Sequence, residues 1–73
     1  MNIETIQYKF KIGDEVVVQL KEFNPFESPK SYMSTIKQIV ICEDNFFKNH
    51  ILLQSKFEEN KILEKDIETI VMA

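Results

Sequence analysis

The sequence predicts a mainly β fold, and three stretches carry that prediction. Val16, Val18 and Leu20 alternate with Glu15, Val17 and Gln19; Ser34 to Cys42 (STIKQIVIC) is rich in β-branched residues; and His50 to Gln54 sets Ile51 and Leu53 on one face.

Along the chain, the alternation begins earlier, with Tyr8, Phe10 and Ile12 against Gln7, Lys9 and Lys11. Gly13-Asp14 interrupts it, so the opening reads as a bent strand pair or as a strand entered through a turn. Gly13 is the only glycine, and the expectation is that it sits where the backbone needs a positive φ. In the second strand Ile39 and Ile41 share a face while Ile36 is out of phase, which places a bulge near Lys37-Gln38. Glu43-Asp44-Asn45 is a turn signal, followed by Phe46 to Asn49 and a third strand, His50 to Gln54, so that a hairpin forms. Glu58 to Lys61 reads as another polar turn and Ile62-Leu63 as a short strand.

The tail supports two readings. As a helix, Ser55 and Glu58 make a capping box and Leu63, Ile67, Ile70 and Val71 fall on one stripe, giving an α+β alternative in which a β-meander ends in a C-terminal helix. As β structure, Glu64-Lys65-Asp66 makes one tight helical turn that sets Ile67 inward, and Thr69 to Val71 begin an edge strand. The second reading is preferred.

Seventy-three residues make one domain, spanning 1–73, with one small core. An apolar fraction of 44% beside 29% charge is that of a chain that folds. No apolar run reaches the roughly 20 residues that span a bilayer, and MNIETIQYKF lacks the charged start and apolar centre of a signal peptide. A cytoplasmic location without membrane contact is expected. Cys42 is the only cysteine, so no internal disulfide forms, and it is expected to be a small buried hydrophobe. All nine cations are lysine, and a reader of DNA or RNA without arginine would be unusual, which makes nucleic acid an unfavoured partner. Abundant Ile, Lys, Asn and Phe suit an AT-rich coding sequence, as in a low-GC bacterium or its phage.

The stretch Phe10-Lys11-Ile12-Gly13-Asp14-Glu15-Val16-Val17-Val18 resembles the opening of small SH3-like barrels, with Thr35-Ile36 and Ile39 resembling their second strand. Asn60, Ile62, Glu64 and Asp66 to Ile70 resemble their closing segment, in which a short turn of helix precedes the last strand. The resemblance implies a five-stranded SH3-like barrel that binds through its loops. It does not carry over proline-rich peptide binding, because the ALYDY-like segment and the groove tryptophan of those SH3 domains are missing. KOW barrels share the Gly-Asp-Val-Val opening but bring basic residues and a glycine-rich first loop, and this chain has neither.

Catalysis needs a base or nucleophile with an orienting partner in a cleft, and no such set is visible, so the chain is not expected to be an enzyme. His50 facing Cys42 across the hairpin would be half a zinc site and lacks the other ligands. Glu64, Asp66 and Glu68 alternate but read as a solvated acidic edge, and neither a metal nor a cofactor is expected. Lys9, Lys11 and Lys21 would form a weak basic patch on the outer face of the first strand, and on them rests the alternative of a KOW-like contact to nucleic acid. The strongest candidate is the loop KEFNPFESPKSYMS (residues 21–34), where Phe23, Phe26 and Tyr32 surround Pro25 and Pro29. Prolines lower the entropy lost on binding and aromatic rings anchor interfaces. Phe46 and Phe47, adjacent in another turn, extend the same patch, since neighbouring residues of an extended chain point to opposite faces and cannot both be buried. The expectation is a non-enzymatic, accessory or inhibitory module docking a larger protein. A homo-oligomer paired through an edge strand is a third reading.

Overall fold

The computed structural model describes residues 1–21, 26 and 31–73. Among them are one helix, α1 (Ile3–Lys9), and five strands: β1 (Glu15–Leu20), β2 (Ser31–Val40), β3 (His50–Gln54), β4 (Glu59–Leu63) and β5 (Ile67–Met72). All neighbouring strands are antiparallel, in the order β4-β3-β2-β1-β5. The fold is mainly β. Its outer strands, β4 and β5, do not pair with each other, so the expected barrel stays open.

The bend of β2 wraps this one sheet around a core. Residues 31–35 pair with β1 and residues 35–40 with β3, and the register shifts between Ile36 and Gln38, where the sequence places a bulge. An extra residue bends a strand and sharpens its twist, which lets the two halves of the sheet face one another. Val16, Val18, Ile36, Ile51, Leu53, Ile62, Ile67 and Ile70 meet inside. Lys37, carried by the bulge, pairs with Glu59 of β4 at 2.6 Å.

The first expected strand is a helix. Asn2 caps α1 by accepting from the Glu4 amide at 2.7 Å, and Ile3, Ile6 and Phe10 fall at helical spacing on one buried stripe. The strand-like alternation of Tyr8, Phe10 and Ile12 is coincidental: Phe10 is 6% exposed, but Tyr8 and Ile12 are 91% and 69% exposed. Three apolar residues on one helical stripe reach a core that only one of the alternating set reaches.

Gly13 has a φ of +97°, as expected of the lone glycine. It sits in a turn closed by the Lys11 amide on Asp14 Oδ2 at 2.8 Å and is held to β2 by its own amide on the Ile36 carbonyl at 2.8 Å. The chain therefore enters β1 through a turn, and no strand precedes it.

Farther on, the β3–β4 turn falls on Lys56-Phe57, between Ser55 and Glu58, whose backbones bond at 2.9 Å. The expected polar turn at 58–61 thus lies too late, because Glu59 to Lys61 pair with β3 and leave their charges at the sheet's edge. Ser55 and Glu58 do bond through the Ser55 hydroxyl, closing this turn and capping no helix. The tail takes the β form: Glu64–Asp66 is a single 3₁₀ turn, Ile67 is fully buried, and β5 follows as an outer strand. No helix among the described residues is long and apolar enough to cross a membrane.

Candidate functional site

The Glu64–Asp66 turn is where separate parts of the chain meet. The Glu64 amide donates to the Asn49 carbonyl at 2.8 Å, and the Lys21 amide donates to the Asp66 carbonyl at 2.9 Å. The Glu64 carboxylate accepts from the Ile3 amide at the start of α1, and the terminal amine of Met1 donates to the Ile67 carbonyl at 3.3 Å. The base of the β1–β2 loop and the segment before β3 are thus fixed to the same turn.

Beside it, Phe46–Lys48 forms a second 3₁₀ turn. Asn45 starts this turn by accepting from the Phe47 amide at 3.1 Å through its side chain and from the Lys48 amide at 3.0 Å through its carbonyl. Asn49 ends it: its amide donates to the Phe46 carbonyl at 3.2 Å, and its side-chain oxygen accepts from the Cys42 amide at 2.7 Å. With 3.0 residues per turn, successive side chains diverge by about 120°, so a short turn pinned from beneath projects both rings outward. Phe46 is 68% and Phe47 81% exposed.

Of the other aromatic residues named from the sequence, Phe26 is 95% exposed. Tyr32 belongs to β2, opposite Val18, and packs half-buried against the core. Phe23, Pro25 and Pro29 lie outside the described residues. The structure thus brings Phe46 and Phe47 together, ties their turn to the same hub as Lys21, after which the loop that carries Phe26 begins, and turns Tyr32 inward.

Sequence reasoning missed two parts of this arrangement. Asn49 is 3% exposed and joins three segments, with no signal beyond its place after a turn. Phe57 is 89% exposed, with the Lys56 ammonium 5.4 Å from its ring centre, but at the opposite end of β3 from Phe46 and Phe47. Its signal was the Ser55–Glu58 motif, which entered only the helical alternative for the tail, as a capping box.

The remaining candidates do not assemble into a site. Lys9 ends α1, Lys11 lies in the following turn and Lys21 follows the far end of β1, so no strand face collects the three lysines. Cys42 is half-buried, not fully buried as expected, because the turn after β2 carries it to the rim. Its thiol donates to the Lys48 carbonyl at 3.5 Å, and His50 Nδ1 lies 2.7 Å from that same oxygen. A carbonyl can only accept, so Nδ1 carries a proton and does not draw one from the thiol. Glu64 is engaged with α1, and no group of three or more His, Cys, Asp or Glu side chains among the described residues is placed to hold a metal.

In comparisons with protein-family models, curated proteins and solved structures, nothing matches this chain.

Proposed function

We propose that this domain is a non-enzymatic binding module of the SH3-like kind, cytoplasmic in location, which docks a larger protein through Phe46, Phe47 and the loop that carries Phe26. The observation that carries the reading is the pair of adjacent phenylalanines, both more than two-thirds exposed, on a 3₁₀ turn held by Asn45 and Asn49. A turn whose backbone is fixed before contact loses less entropy on binding, and buried aromatic anchors dominate interface energy. The five-stranded antiparallel sheet with a helical turn before its last strand supports the SH3-like part of the reading.

Capture from the native cell tests it, comparing the wild type with a Phe26→Ala, Phe46→Ala, Phe47→Ala variant. The partner recovered by the wild type is lost by a variant that melts at the same temperature. Equal recovery by the two folded proteins removes these residues from the interface.

A further inference from the structure

Two acidic residues precede the exposed rings, separated from them by Asn45 alone. Glu43 and Asp44 form the exposed turn that leads into Asn45, and the Asn45 amide donates to the Cys42 carbonyl at 3.3 Å, so the acidic turn and the aromatic turn are joined end to end. Among the described residues the only ion pair is Lys37 with Glu59, which leaves both carboxylates unpaired. Lys48 follows the rings in sequence, and the neighbouring Glu64–Asp66 turn brings two acids and one lysine, with the Glu64 carboxylate accepting from the Ile3 amide. The docking tip is therefore net acidic, with the unpaired carboxylates of Glu43 and Asp44 next to the rings.

We infer that Phe46 and Phe47 seat on an apolar surface of a partner protein that is bordered, on the side facing Glu43 and Asp44, by lysine or arginine. This deepens the proposed docking function and rests on it. Charge complementarity at a rim orients a complex and speeds encounter more than it tightens it, while apolar anchors hold the contact. Two adjacent, exposed acids give the partner's cations a defined side to approach. A partner with an acidic border meets repulsion there.

Two synthetic amphipathic peptides with the same leucine stripe, one edged with lysine and one with glutamate, separate the possibilities in an NMR titration of the ¹⁵N-labelled protein. The lysine-edged peptide is expected to shift residues 43–49 and to bind about fivefold more tightly than its glutamate twin. Glu43→Gln with Asp44→Asn removes that preference, and Phe46→Ala with Phe47→Ala removes binding. Equal affinity for the two peptides overturns the basic border and leaves the docking reading standing. Shifts elsewhere, shifts insensitive to the two phenylalanines, or no binding of either peptide overturn the inference together with the docking role of this turn. Shifts at 43–49 that grow with protein concentration alone assign the surface to a second copy of the chain instead.

Discussion

At Gly13 the backbone stands at φ +97°, and no atom beyond its chain neighbours lies within 4 Å of where a Cβ would be. A substitution there meets torsional strain without a clash. Gly13→Ala is expected to cost about 1 kcal/mol and the β-branched Gly13→Val about 2 kcal/mol in urea unfolding. Asn49 presents the opposite case, a polar side chain that is useful because it is buried. Asn49→Ala leaves the Cys42 amide without its acceptor and should cost about 1 to 3 kcal/mol, against about 1 kcal/mol for Asn45→Ala at the exposed cap; thermal melts compare the two. Of these residues, Gly13 was legible in the sequence because only one residue type adopts its conformation freely. Asn49 was not, because its partners, Cys42 and Glu64, lie 7 and 15 positions away and the pattern of one chain does not encode such meetings.

Among the elements, β3 and the bulge in β2 were legible for a common reason: alternation fixes which face is buried, and Ile36 breaks phase with Ile39 where the register shifts. Helix α1 was not legible, since the alternation of Tyr8, Phe10 and Ile12 overlies the helical spacing of Ile3, Ile6 and Phe10 and reads as a strand. Residues that reach the core decide between such periods, and Ile3 and Ile6 reach it while Tyr8 and Ile12 do not. The helix has only seven residues and depends on tertiary support, in part from the Glu64 carboxylate on the Ile3 amide. Glu64→Ala is expected to cost about 1 kcal/mol and to speed hydrogen exchange in α1 while leaving the middle of β2 and β3 protected. Glu64→Gln, which keeps an acceptor, should restore most of that loss. Of the candidate docking residues, the exposure of Phe46 and Phe47 was legible from their adjacency in a turn, although the 3₁₀ geometry and not strand alternation produces it.

At the scale of the molecule, one sheet bent at β2 and a short helix enclose eleven buried apolar residues among those described, which is a small core for a domain whose stability should be about 4 to 11 kcal/mol. Ile6→Ala, at about 2 to 5 kcal/mol, therefore removes a large part of it, as a calorimetric melt would register. Phe46→Ala with Phe47→Ala should shift stability by no more than about 0.5 kcal/mol, because neither ring is buried. That contrast separates the residues that hold the fold from the exposed rings proposed for docking. The surface has other exposed apolar residues, including Met33 and Val71, which flank Val17 across β2, β1 and β5 on the outer face of the sheet. Backbone hydrogen exchange of the complex with the partner recovered by capture decides which surface is used. Slowed exchange centred on residues 43–49 and the adjoining Glu64–Asp66 turn is the result this account predicts. Protection confined to the outer face around Val17, Met33 and Val71, with the Phe46–Lys48 turn exchanging as fast as in the free protein, would contradict it.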